Sequence, residues 1–211
     1  MTTSTSKLNG SPTIRTIVGA TPSTSLDPKS TALLVIDIQN EYFSGQLPIP
    51  DGMQVLRNAN RLISLADRHG MPVFHIQQWS PAARPLFTQN TVMAEIHPEV
   101  QRAPHHSTIR KIFASSFAGT DLQQQLLAKG VKTLIISGLM TNNCVAASAF
   151  DGVANGHKVI VASDASATRD LETWDGSVIN HKDLHRAVLA GISDAAAEIR
   201  TTSAILELAI E

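Results

Sequence analysis

The chain has one cysteine, Cys144, among 211 residues, so it has no internal disulfide available and a reducing, cytoplasmic setting is expected. Charge of one sign is also lacking. The 17 basic and 18 acidic residues nearly cancel, and no run of either sign appears, which argues against a nucleic-acid or anionic-membrane partner. No apolar stretch approaches the roughly 20 residues that a bilayer-spanning helix needs. Residues 1–25 are rich in Ser and Thr and do not carry the continuous apolar core of a secretory signal. What is present is a 43% hydrophobic chain, long enough for one substantial core and too short for two full domains. The expected partners are a small molecule and further copies of the chain itself.

Residues 1–29 read as a polar N-terminal leader, and 30–211 as the folded domain. Ala32 to Ile38 is nearly all apolar, the pattern of a strand buried on both faces of a parallel sheet, and Asp37 interrupts it near its C-terminal end. Val55, Ala59, Leu62, Ile63 and Ala66 recur at helical spacing until Gly70 stops the helix. Pro72 to Gln77 is the second strand. Trp79 to His106 contains four prolines and no clear period, so it is a long loop, and such loops often carry function. A weak strand at Ser107 to Ile112, a helix at Asp121 to Lys129 and a strand at Lys132 to Ser137 follow. Next come a helix from about Asn142 to Asn155, a strand at His157 to Ser163, a polar loop at Asp164 to Asp175 and a helix at His181 to Ala197. Ile199 to Thr202 is the last strand, and Ser203 is placed as the cap of a final short helix. This alternation implies an open parallel sheet covered on both faces, with ligands at the C-terminal ends of its strands.

Cys144 follows the apolar run Leu134-Ile135-Ile136, at the point where a strand turns into a helix. A helix N-terminus stabilises the thiolate, which suits an activated nucleophile, but a lone cysteine is more often a small buried apolar residue, so the partner residues decide. Asp37 ends the first strand and Lys111 lies on the weak strand, and all three can face one crevice. The chemistry would then have Asp37 accept the thiol proton, Cys144 attack an electrophilic carbon, and Lys111 hold Asp37 ionised while stabilising negative charge.

Three motifs appear in order: Leu33-Leu34-Val35-Ile36-Asp37-Ile38-Gln39-Asn40, Arg110-Lys111 followed by Phe113-Ala114-Ser115-Ser116-Phe117-Ala118-Gly119-Thr120-Asp121-Leu122, and Gly138-Leu139-Met140-Thr141-Asn142-Asn143-Cys144-Val145. Together they resemble the isochorismatase-like cysteine hydrolases, a family that includes nicotinamidases, N-carbamoylsarcosine amidases and isochorismatases, over about Thr31 to Glu207. The resemblance implies that Asp37, Lys111 and Cys144 are a catalytic triad. It also implies a cis peptide between Leu139 and Met140, with the backbone N–H groups of Met140 and Cys144 forming an oxyanion hole. The fold expected is a three-layer αβα sandwich around an open, mainly parallel, Rossmann-like sheet of about six strands in the order 3-2-1-4-5-6. Family members form dimers, tetramers or larger assemblies, so a homo-oligomer is expected.

Nicotinamidases of this family carry metal-binding Asp and His residues near the end of the second strand. This chain reads Ile76-Gln77-Gln78-Trp79-Ser80-Pro81 there, so no metal and no cofactor is expected at the site. The presence of Cys144 favours hydrolysis of a C–N bond in a small amide, carbamoyl, ureido or lactam-type substrate through a covalent acyl-enzyme. Two other readings stay open: a vinyl-ether hydrolase of the isochorismatase type, with Asp37 as the acid and Cys144 a bystander, and an inert scaffold or assembly protein. The substrate-binding residues expected are Asn40, Tyr42, Trp79, Phe113 and Asn143. His97, His105, His106, His181 and His185 are assigned to polar surface, pocket polarity or subunit contacts. The four-residue spacing of His181 and His185 is compatible with zinc but lacks the following glutamate of a metalloprotease.

Overall fold

The structure is a computed structural model and describes residues 10–211, so residues 1–9 of the expected leader lie outside the described residues. Its centre is a six-stranded parallel sheet: β1 (Thr31–Ile36), β2 (Val73–Gln78), β3 (Ser107–Lys111), β4 (Thr133–Leu139), β5 (Lys158–Ala167) and β6 (Glu198–Arg200). The spatial order is β3-β2-β1-β4-β5-β6, the order expected. The chain therefore reverses direction across the sheet between β1 and β4, and a crevice opens there at the C-terminal ends of the strands.

Every residue of β1 is buried, because both faces of the sheet are covered. Its side chains alternate between two cores. Leu33 and Val35 pack with the apolar stripe of helix α1 (Gly52–His69), which includes Val55, Ala59, Leu62 and Ile63. Ala32, Leu34 and Ile36 pack on the other side with α2 (Leu122–Ala128), α3 (Ala146–Ala154) and α4 (His181–Ala195), through Leu122, Leu126, Ala149, Leu189 and Ile192. Gly70 ends α1 in the left-handed conformation, donating its N–H back to the last turn.

Three expectations are corrected. Strand β5 runs on to Ala167 where a polar loop was expected, because Ser166 and Ala167 pair with Gly138 and Leu139 after a register shift in β4. The polar groups of that stretch are satisfied: Asp164 accepts from the backbone N–H and hydroxyl of Thr202, and its carbonyl accepts from Asn58. The remainder of the expected loop forms a small hairpin, Leu171–Glu172 against Val178–Ile179. The helix expected from about Asn142 is present: it opens as a wide π-helical turn over Thr141–Val145, in which the Val145 N–H reaches the Met140 carbonyl, and continues as regular α-helix from Ala146. The final helix, Thr202–Leu206, is capped by the Thr201 hydroxyl, while Ser203 accepts from Arg61.

Residues 10–29 are laid along the body. Ser25–Leu26 pairs in parallel with Ala209–Ile210, the Ile14 N–H donates to Asp194, and Arg15 donates to the Ala196 carbonyl. Ser23 donates its N–H and hydroxyl to Glu198, whose other oxygen accepts from Arg200.

Between β1 and β4 the two backbones approach so closely at Gly138 that a Cβ there would lie 1.9 Å from the Ile36 carbonyl oxygen, and its φ of +119° is one that L side chains rarely adopt. Gly138→Ala is expected to destabilise the fold by about 3 kcal/mol or more, read as a lowered urea midpoint or loss of soluble protein. An unchanged midpoint would contradict this packing.

A candidate catalytic site at the sheet crossover

Three strand ends converge. Asp37 lies one residue past β1 with φ +50°, a left-handed conformation that Asp tolerates better than bulkier residues, and its N–H donates to the Ile76 carbonyl. Lys111 is the last residue of β3, where edge-strand alternation points Ile109 and Lys111 inward and Arg110 outward. Cys144 lies in the wide turn after β4.

The Lys111 side chain is fully buried, and its Nζ is the hub of the site. It sits 2.8 Å from Asp37 Oδ2 in an ion pair, 3.3 Å from Cys144 Sγ, 2.7 Å from Gln78 Oε1 and 3.2 Å from the Phe113 carbonyl. Gln39 fixes the base of this arrangement: its Oε1 accepts the Gln78 N–H, and its Nε2 donates to the carbonyls of Ala94 and Gln78. The peptide between Leu139 and Met140 is cis.

Burial governs the protonation states. It raises the Asp37 carboxyl, with the Lys111 ammonium pulling the other way. Desolvation also works against the charge on Lys111, but Asp37 and Cys144 outweigh it and its pKa is raised. Burial, followed by the neighbouring Asp37, pushes the Cys144 thiol up to about 12 despite the opposing Lys111. A helix N-terminus favours a thiolate, whereas burial of this sulfur works the other way. The wide turn buries the sulfur beside a carboxylate, and the group rests as a thiol. A carboxylate made more basic by burial is in turn a better acceptor for the thiol proton.

Cys144 reaches the wall of a cavity of about 500 Å³, while Asp37 and Lys111 lie behind it. Of the substrate-binding residues expected, Tyr42, Phe113 and Asn143 line this cavity. Tyr42 packs against Phe87 with its ring centroid 5.1 Å away, and burial raises its hydroxyl well above the ordinary value, which keeps it neutral. Asn40 and Trp79 do not line it. The Asn40 amide donates to the Val92 carbonyl. The Trp79 indole donates to Gln89 and lies under the outward-facing Arg110, whose guanidinium carbon is 4.1 Å from the ring centroid. His181 and His185 take separate partners, Asp170 and Thr141.

Sequence reasoning did not single out Gln39, Gln78, Arg84 or Arg169. Arg84 and Arg169 both line the cavity, no acidic side chain lines it among the described residues, and the Arg169 Nε is buried without a hydrogen-bond partner. Gln39 and Gln78 stand inside or beside quoted motifs, and glutamine at a strand end in an apolar run was the available signal. The two arginines lie in polar loops with no local pattern to mark them.

The free-enzyme geometry has a direct solution test. Iodoacetamide alkylation of Cys144 should be slow at neutral pH and still rise with pH above pH 9, as expected for a thiol held up to about 12. A plateau by pH 8, measured by mass spectrometry, would show a resting thiolate instead.

Comparison with known proteins places this arrangement. Residues 31–203 match the isochorismatase domain. An uncharacterised isochorismatase family protein of Bacillus subtilis, YddQ, is 35% identical over 180 residues, covering 84% of this chain and 99% of its own. The secreted isochorismatase effector Isc1 of Verticillium dahliae is 34% identical over 85% of this chain and 92% of its own. A streptothricin hydrolase of Streptomyces noursei is 36% identical over 69% of this chain and 57% of its own. Among solved structures, an isochorismatase from Pseudomonas putida superposes with a TM-score of 0.86 at 26% identity, covering 93% of this chain and 100% of its own. The N-carbamoylsarcosine amidase of Thermoplasma acidophilum gives 0.68 at 26% identity, covering 82% and 96%. With the sheet order and these matches in agreement, the chain belongs to the isochorismatase family and is a hydrolase.

Proposed function

We propose that the protein is a metal-independent cysteine hydrolase that cleaves the C–N bond of a small amide, carbamoyl, ureido or lactam-type substrate bearing an anionic group. The observation that carries this reading is a single buried ammonium, Lys111 Nζ, within 3.3 Å of both a carboxylate and the only thiol. Asp37 takes the thiol proton as Sγ attacks the carbonyl carbon, so no free thiolate accumulates. The backbone N–H groups of Met140 and Cys144 receive the developing oxyanion. Asp37 passes the proton to the leaving nitrogen, the amine departs, and a thioester remains. Water, deprotonated by Asp37, attacks the thioester carbon, and the released thiolate regains the proton, leaving acid and amine as products.

The amide reading draws support from two relatives, one named for amidase activity and one for hydrolysis of streptothricin. The anionic group is read from the cavity wall, where Arg84 and Arg169 supply positive charge with no acidic counterpart. A homo-oligomer forms part of the proposal, supported by the fully exposed Trp174 and by Val178 on the small hairpin. A reducing compartment suits a chain whose single thiol must stay free, although one relative is named as secreted.

Cys144→Ala and Asp37→Asn are each expected to lower amine release by about 10³-fold or more with the fold intact. Pyruvate formation from isochorismate that persists in Cys144→Ala would point to vinyl-ether hydrolysis instead. Arg169→Ala should raise KM for anionic amides about 10- to 100-fold while leaving neutral amides within a few-fold, read from steady-state kinetics on matched substrate pairs.

A further inference from the structure

The edge of the sheet opposite the cavity holds a second cluster of ligating side chains. Asp67 lies in the last turn of α1, and His105 and His106 immediately precede β3. Asp67 Oδ1 is 3.1 Å from His105 Nε2 and 2.8 Å from His106 Nε2, and the three ligand atoms all lie within 4.8 Å of one another. We propose that Asp67, His105 and His106 bind a divalent cation of the zinc class, clamping the C-terminal end of α1 to the segment that leads into β3.

Several features point the same way. Two imidazole nitrogens and one carboxylate oxygen form the donor set of a borderline-soft divalent ion, not of calcium or magnesium, which take oxygen ligands. Ligand atoms at 2.0–2.1 Å from a tetrahedral ion stand about 3.3 Å apart, so the present separations need to open by only a few tenths of an ångström on the Asp67 side. His105 is exposed and leaves an approach from solvent, while His106 is held from behind. The buried His75 places Nε2 3.0 Å from His106 Nδ1, the outer-shell contact that orients a ligating imidazole. The backbone N–H of Ala103 also points at that Nδ1 from 3.2 Å, so the ring is held from two sides. Asp67 sits where the helix dipole is negative, an unfavourable place for a carboxylate that a bound cation offsets. The site uses none of the cavity residues, and its occupancy does not enter the proposed hydrolysis.

The test is calorimetric titration of chelator-treated full-length protein with Zn²⁺. Wild type and Cys144→Ala are expected to bind one equivalent with the same affinity. His105→Ala, an exposed change that leaves the fold in place, and Asp67→Asn should each weaken binding at least about tenfold, and the Zn²⁺-induced rise in the thermal midpoint should vanish with them. Absence of saturable binding in wild type, unchanged affinity in His105→Ala, or loss of binding in Cys144→Ala would each overturn the proposal.

Discussion

The fully buried contact between Lys111 and Asp37 is the constraint on which the rest of the site depends. Taking a carboxylate and an ammonium out of water costs several kcal/mol each, and their attraction recovers that only with good geometry and further hydrogen bonds. Here those bonds come from Gln78 and the Phe113 carbonyl, which fill the remaining valences of Nζ. Both carboxylate oxygens, by contrast, lack a well-directed hydrogen-bond donor. A buried carboxylate with spare lone pairs beside a thiol is a proton acceptor held short of satisfaction. The fold tolerates this because the ammonium supplies the compensating charge.

The same logic separates the two ends of the cavity. At the sulfur, charge is balanced internally by the buried pair and is screened little by water. On the cavity wall, Arg84 and Arg169 bring positive charge with no acidic side chain lining the cavity among the described residues. The buried cluster and the positive charge of the cavity wall are thus built from different elements. Strand ends hold Asp37 and Lys111, the turn after β4 holds Cys144, and the loops after β2 and β5 hold the arginines.

Much of the fold was legible in the sequence because parallel strands buried on both faces leave continuous apolar runs. Asp37 could be seen because a charge in such a run has no other business there, Lys111 because it lies on a strand within a recognisable motif, and Cys144 because it follows a strand. The misreadings have physical reasons. Ser163 to Ala167 consists of small and polar residues, yet it continues β5 because its polar groups find partners on β4, α1 and the last helix, none of which is local in sequence. Trp79 was drawn to the cavity by its place after a strand, but alternation on edge strand β3 turned Arg110 outward to meet it. Arg169 was invisible because the cavity it lines is assembled from segments far apart in sequence. The thiol was read from the electrostatics of an ideal helix start, whereas the wide turn after β4 put desolvation in control.

Gly138 brings the main chains of β1 and β4 together with no side chain between them. Asp37 at the end of one strand and Cys144 in the turn after the other are therefore spaced by covalent geometry and ladder hydrogen bonds, not by side-chain packing. Core substitutions on either face of the sheet can reshape the surrounding cavity while these two groups keep their separation. The architecture lets the shape of the cavity drift independently of the cluster behind its wall.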